Sequence, residues 1–190
     1  MTILGIDTSA RGRTVVVLLG AGAGPHVETA DEPLLGRLHA QLRGLDLDGL
    51  EAVAVATGPG TYTGLRAGLA AALGVAQARS LPLHGIPSLE VVAHGSAPEL
   101  DDLLAVSDAG RGAVYAQRFR RRDGILTADE PPRRLAAAHL PDDPPAVRLD
   151  SAGAGAALVA AVPAALTRPA LDLVGLTAVY VDATEDSRSP

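Results

Sequence analysis

Two groups of residues in this 190-residue chain are of types that do chemistry. Asp7-Thr8-Ser9 closes a short apolar run, and Thr57-Gly58-Pro59-Gly60-Thr61-Tyr62-Thr63-Gly64-Leu65-Arg66-Ala67-Gly68 is a glycine-rich turn leading into a helix of small residues. A carboxylate and two hydroxyls at a strand end suit a hydrated metal and phosphate oxygens. The same Asp also suits a local bond to its own backbone. Asp108, with Gly110 behind it, is the candidate counterpart later in the chain. A glycine turn opening a helix leaves backbone N–H groups unpaired and admits close approach, by an anion or by a second protein. Thr61 or Thr63 is placed to cap that helix.

Other chemistries lack their residues. All 16 basic residues are Arg, so there is no Walker-type phosphate loop lysine, Schiff base or kinase-type lysine. With no Cys, neither disulfides nor thiolate metal sites can form. His26, His39, His84, His94 and His139 form no ligand-spaced pair, and no G-x-S-x-G elbow is present. Arg118, Arg120, Arg121 and Arg122, with Phe119 between, form a basic run that suits RNA phosphate or a solvated hairpin end, since Asp123-Gly124 reads as a turn. A net charge of −6 opposes non-specific nucleic-acid binding. No long apolar run or signal-like start is seen, so a cytoplasmic protein with no membrane contact is expected.

The elements that carry these residues alternate between strand and helix periods. Ile3–Asp7, Thr14–Leu19 and a run near Pro25–Thr29 read as a strand meander, with Arg11-Gly12 as its first turn. Leu34, Leu35, Leu38 and Leu42 predict a helix over Pro33–Arg43. Ala52–Ala56 reads as a buried strand, followed by a helix over Thr63–Arg79, a strand over Leu83–Ile86 and a short helix capped by Ser88. Shifting the chain by 100 residues then lays Leu103–Phe119 on Ile3–Leu19, with Leu104 on Leu4, Val106 on Ile6 and Arg111-Gly112 on Arg11-Gly12. This predicts an internal duplication and a mixed α/β fold built twice. Later, Gly153–Val162 reads as a helix, and Leu171–Gly175 and Ala178–Asp182 as strand-like runs. The expected division is 1–102 for the first lobe, 103–184 for a reduced second lobe, and a frayed tail from 185 to 190.

Along the long helix, Gly64, Gly68, Ala71, Ala72 and Val75 recur at spacings of three and four, giving a groove almost without side chains. Each Gly inside a helix costs roughly 0.5–1 kcal/mol relative to Ala, which a closely packed neighbour would offset. That neighbour is either the helix over Pro33–Arg43 of the same chain or a second subunit.

The segments Ile3-Leu4-Gly5-Ile6-Asp7-Thr8-Ser9 and Gly58-Pro59-Gly60-Thr61-Tyr62-Thr63-Gly64-Leu65-Arg66 resemble the TsaB (YeaZ) family of tRNA threonylcarbamoyladenosine biosynthesis. Gly85-Ile86-Pro87-Ser88-Leu89 and Asp108-Ala109-Gly110-Arg111-Gly112-Ala113-Val114-Tyr115 are also similar, and the likeness is loose beyond about Gly124. The resemblance implies an actin-like ATPase fold with two ribonuclease-H-like lobes. It implies an accessory subunit rather than an enzyme, with no catalytic residues, metal or cofactor of its own. The implied partners are the transferase TsaD as a heterodimer, the ATPase TsaE in a larger assembly, a second copy when alone, and tRNA only through the complex. On this resemblance the interface falls on Leu34, Leu38, Gln41, Thr61, Thr63, Gly64, Arg66, Ala67, Gly68, Ala71, Ala72 and Val75. Asp7, Thr8, Ser9 and Asp108 would be the remnant of a nucleotide site, with nucleotide at a subunit junction a further option. Where many relatives carry His-Ser-Glu before the first helix, this chain has Ala30-Asp31-Glu32. The rival reading is an actin-like ATPase or kinase acting alone; a peptidase has no supporting residues.

Overall fold

A computed structural model describes residues 1–20, 26–30, 34–95, 100–172 and 178–181, with backbone alone at 26, 28–30 and 34–37. Side-chain alternation builds the first sheet. Strands β1 (Thr2–Asp7), β2 (Thr14–Leu19), β3 (His26–Ala30), β4 (Leu50–Gly58) and β5 (Leu83–Pro87) lie in the order β3-β2-β1-β4-β5. The meander pairs antiparallel, and β4 and β5 join parallel to β1 through helical crossovers. Leu4, Ile6, Val16, Val53 and Val55 point to one face, where α1 (Leu34–Gly44) and α2 (Tyr62–Arg79) bury Leu38, Leu65, Leu69, Ala72 and Ala76 against them. Ile3, Val15, Val17, Ala52 and Ala54 point to the other.

A helix from the far end of the chain covers that second face. α4 (Ser151–Leu166) starts at Asp150, whose side chain accepts from the Gly153 N–H at 2.7 Å. It packs Ala154, Ala157, Leu158, Ala161 and Val162 on β1, β2 and β4. Small residues on both sides set the distance, since a Cβ on Gly5 would stand 2.7 Å from Val17 Cγ2 and 3.3 Å from Val162 Cγ2. α3 (Ser88–Gly95) lies beside α4 and turns Leu89, Val92 and Ala93 to the second sheet.

The second sheet runs β10-β6-β7-β8 over β6 (Asp102–Gly110), β7 (Ala113–Arg122), β8 (Ile125–Ala128) and β10 (Ala146–Val147), with β9 (Arg133–Ala136) also pairing to β7. Its first hairpin repeats the register of β1–β2. Ile3 lies opposite Leu19, and Leu103 opposite Phe119; Ile6 lies opposite Val16, and Val106 opposite Ala116. Both turn residues Arg111 and Gly112 have positive φ, as do Asp123 and Gly124, matching the primed hairpin turns their sequences suggest.

The runs expected as late strands are not strands where they are described. Leu171 N–H donates to Leu83 O at 2.8 Å, and Val179 N–H to Thr57 O at 2.7 Å. Thr57 O is available because the β4–β5 register shifts between Ala56 and Gly58. Residues 173–177, 182 and the tail 185–190 lie outside the described residues. Leu158 is fully buried between α4 and the first sheet. Leu158→Ala is expected to lower stability by about 2–5 kcal/mol in urea denaturation, a cavity-scale loss; a surface-scale change would contradict this placement of α4.

Candidate functional site

Glycines of the β4–α2 turn receive the end of β1. A Cβ on Gly60 would stand 2.6 Å from Ser9 O, one on Gly64 would overlap Thr8 O, and one on Gly68 would overlap Thr8 Oγ1. The approach is fixed by directed bonds. Thr8 Oγ1 donates to Gly64 O at 2.7 Å, and Thr61 N–H donates to Ser9 O at 2.8 Å. Ser9 N–H donates to Asp7 Oδ1 at 2.9 Å, and Gly58 N–H to Ser88 Oγ at 3.1 Å. Asp7, Thr8 and Ser9 are all buried. The groove read from the Gly64/Gly68 spacing is therefore filled by the chain's own Thr8, and is not open to a second molecule. Thr61 precedes α2 with no side-chain cap, and its N–H is the group that Ser9 O engages. Ser88 opens α3, and its Oγ accepts from Gly58 N–H.

Burial corrects other parts of the expected interface. Leu38, Gln41 and Ala72 are turned into the chain, at 4%, 7% and 0% exposure, as are Gly64 and Gly68. Thr61, Ala67, Ala71 and Val75 are half-buried, while Thr63 and Arg66 are exposed. The side chain of Leu34 lies outside the described residues. The outward stripe of α2 runs instead through Thr63, Ala67, Ala70 and Gly74, at helical spacing. A Cβ on Gly74 would meet nothing within 4 Å. Beside this stripe Tyr62 stacks on Tyr180, with ring centroids 5.6 Å apart, and the Arg66 guanidinium sits 4.8 Å over the Tyr62 ring. Ala70, Gly74 and Tyr180 were not foreseen. The 67–70–74 spacing carried the signal for the first two, whereas Tyr180 arrives only through tertiary folding.

A cleft of about 480 Å³ lies where the two hairpin turns meet the glycine turn, lined by Thr8, Arg11, Gly60, Thr61, Tyr62, Thr63, Asp108 and Tyr115 among others. The fold thus brings Thr8 and Asp108 together, with Asp7 and Ser9 engaged locally beneath. Asp108 Oδ1 accepts from Gly110 N–H at 3.0 Å, repeating the Asp7–Ser9 turn, and its other oxygen lies 3.8 Å from Arg11 Nε. The shared hairpin register sets Ser107 at the place of Asp7 and Asp108 at that of Thr8, so Asp108 is not the positional counterpart of Asp7. Among the described residues no group of three His, Asp or Glu is placed to hold a metal.

The arginine run is ion-paired in place. Asp102 accepts from Arg118 Nε at 2.8 Å and from Arg120 Nε at 3.2 Å, Asp129 pairs with Arg120 and Arg122 at 3.0 Å, and Asp101 lies 3.8 Å from Arg121. The Arg118 hydrogen bond, aided by Arg120, holds the Asp102 carboxyl down to about 2 against partial burial. These pairs engage all four arginines of the run with three carboxylates on the hairpin face.

The family model "TsaD: tRNA N6-adenosine threonylcarbamoyltransferase" matches residues 26–183. An uncharacterized protein of Mycobacterium tuberculosis is 37% identical over 171 residues, covering 84% of this chain and 76% of its own length. The Escherichia coli tRNA threonylcarbamoyladenosine biosynthesis protein TsaB is 30% identical over 139 residues, covering 68% of this chain and 60% of its own. The chain belongs to this TsaD family, among its TsaB (YeaZ) members. YeaZ from Pseudomonas aeruginosa superimposes with a TM-score of 0.78 at 22% identity, over 95% of this chain and 99% of that one. The TsaB-like fold is accordingly the actin-like ATPase fold, with two ribonuclease-H-like lobes. No helix among the described residues is long and apolar enough to cross a membrane.

Two measurements test this site. A mid-helix Gly→Ala change ordinarily stabilises by up to about 1 kcal/mol. Gly68→Ala is expected to do the opposite, losing about 1–3 kcal/mol by overpacking against Thr8. A Thr8→Ala background should recover part of that loss in a double-mutant cycle, and additivity would contradict the contact. For Asp102, a depressed folded pKa gives stability that is full above the unfolded value of about 3.9 and is lost as pH falls towards 2. Urea midpoints of wild type should therefore fall more steeply between about pH 4 and pH 2 than those of Asp102→Asn.

Proposed function

We propose that this chain is a non-catalytic subunit in the biosynthesis of threonylcarbamoyladenosine in tRNA. It acts by pairing with a TsaD-type transferase subunit, which it stabilises or activates. The observation carrying this reading is family membership alongside proteins named for that biosynthesis in Escherichia coli, Bacillus subtilis and Haemophilus influenzae. The modified residue is the adenosine 3′ of the anticodon, reached by this chain only within the complex, with a TsaE-type ATPase joining the larger assembly.

The docking face is the outer side of α2 with α1 beside it. Thr63, Arg66, Ala70 and Gly74 are exposed there, and small side chains allow another helix to approach closely. A stand-alone ATPase or kinase is the second reading, favoured by the cleft between Thr8 and Asp108. It is weakened because Thr8 Oγ1 and Thr61 N–H, the groups that would meet phosphate, already bond within the chain.

Depleting the protein should lower the modified adenosine in cellular tRNA, and an unchanged level would sink the reading. Gly74→Arg separates fold from docking. It should raise stability by up to about 1 kcal/mol through helix propensity while abolishing co-purification with the TsaD-type subunit. ATP turnover by the isolated chain, lost in Asp7→Ala, would favour the second reading instead.

A further inference from the structure

A second cavity lies away from the glycine turn and from the outer face of α2. It opens between β5 and β8, the strands that end the two sheets, and shares no lining residue with the cleft at Thr8 and Asp108. Its volume of about 660 Å³ falls within the range of small-molecule sites, about 300–1,000 Å³. Gly85 and Pro87 from β5, Leu126 and Ala128 from β8, and Leu171 and Val179 from beyond α4 give it apolar walls.

Into these walls α3 sets one carboxylate. Glu90 is the sole acidic residue of Ser88–Gly95, its side chain is 10% exposed, and it lines the cavity. A carboxylate so placed is costly unless its oxygens are paired. Arg168, just past α4, meets part of that need by donating from Nη2 to Glu90 Oε1 at 2.5 Å. His94 Nε2 lies 3.9 Å from the same oxygen. Burial lowers the His94 pKa, so at neutral pH the imidazole leaves the carboxylate charge uncancelled. Both partners therefore meet Oε1. Oε2 accepts nothing among the described hydrogen bonds and ion pairs, yet it is not one of the sealed polar atoms that lack a partner. An unsealed oxygen on a cavity-lining residue is open to a ligand.

Charge narrows the ligand class. Glu90 and Asp172 line the cavity against the single guanidinium of Arg168, so the described lining is negative by one charge. Arg168 is also committed to Glu90, which disfavours an anion. A bare divalent ion would need more oxygen ligands than these walls supply, and no group of three His, Asp or Glu forms among the described residues. An organic cation needs one acceptor and apolar surface for its body.

We propose that this cavity binds a small organic amine with an aromatic or branched apolar body, its ammonium N–H donating to Glu90 Oε2. Leu126, Leu171 and Val179 would cover the body. This site is separate from the proposed pairing through α2, so either reading can fail and leave the other standing.

The test uses three probes that share a phenylethyl body: phenethylamine, uncharged 2-phenylethanol and anionic 3-phenylpropionate. Each is titrated at pH 7 into the full chain labelled with ¹⁵N, and amide shifts are followed at Gly85, Leu126 and Leu171. Phenethylamine should bind with a dissociation constant on the order of 1 mM, the scale for so small a ligand, and at least about tenfold tighter than 3-phenylpropionate. Glu90→Gln, checked for an unchanged spectrum elsewhere, should weaken phenethylamine about tenfold while changing 2-phenylethanol by less than about twofold. Ala128→Phe, which alters neither member of the ion pair, should abolish the shifts from all three probes and keeps the proposal testable if Glu90→Gln does not fold. No shifts with phenethylamine at about 10 times the expected constant would overturn the proposal. Equal or tighter binding of 3-phenylpropionate would overturn it too, as would shifts that survive Ala128→Phe.

Discussion

The seat of Thr8–Ser9 against Gly60, Gly64 and Gly68 determines how the rest of the molecule is arranged. Three missing side chains let the end of β1 press onto the first turns of α2, where Thr8 Oγ1 reaches Gly64 O and Ser9 O receives the Thr61 N–H. Each such buried bond contributes on the order of 1 kcal/mol net, and leaving one unmade costs more. Their larger effect is orientational. They fix the rotation of α2 about its axis, and with it which stripe is sealed and which faces outward.

From that rotation the two sides of α2 acquire different work. The inner stripe of Leu65, Leu69, Ala72 and Ala76 joins the core with Leu4, Ile6, Val53 and Val55. The outer stripe keeps Ala70 and Gly74 exposed, and Tyr180 is brought to Tyr62 by the terminal segment anchored at Thr57 O. The same contact engages the Thr8 hydroxyl and the Thr61 N–H, two of the polar groups at the cleft. Glycines that in another setting would admit phosphate here admit a strand end.

Much of the architecture was legible from apolar runs and helical spacing. Continuous apolar runs at Ile3–Ile6, Val15–Val17 and Ala52–Val55 placed the strands, the Leu34/Leu38/Leu42 spacing placed α1, and the 100-residue shift anticipated a hairpin register that the second sheet repeats. The face of α2 was not legible. Gly64 and Gly68 lie on one stripe and Ala70 and Gly74 on another, both small, and spacing alone cannot say which is covered. The covering residue, Thr8, is distant in sequence from Gly64. Leu38, Gln41 and Ala72 were misplaced for the same reason, since each lies on a helix whose rotation is set by tertiary contact. Arg118–Arg122 read as a basic run because Asp102 and Asp129 meet it only across the sheet.

The sharpest discrimination between sealed and docking stripes is thiol labelling, which this chain permits because it contains no Cys. Single Ala70→Cys and Ala72→Cys variants would be exposed to a maleimide with and without the TsaD-type subunit. The account predicts that position 70 reacts in the free chain and is shielded by the partner, and that position 72 stays unreactive in both. Rapid reaction at position 72, or equal reaction at position 70 with the partner bound, would contradict it.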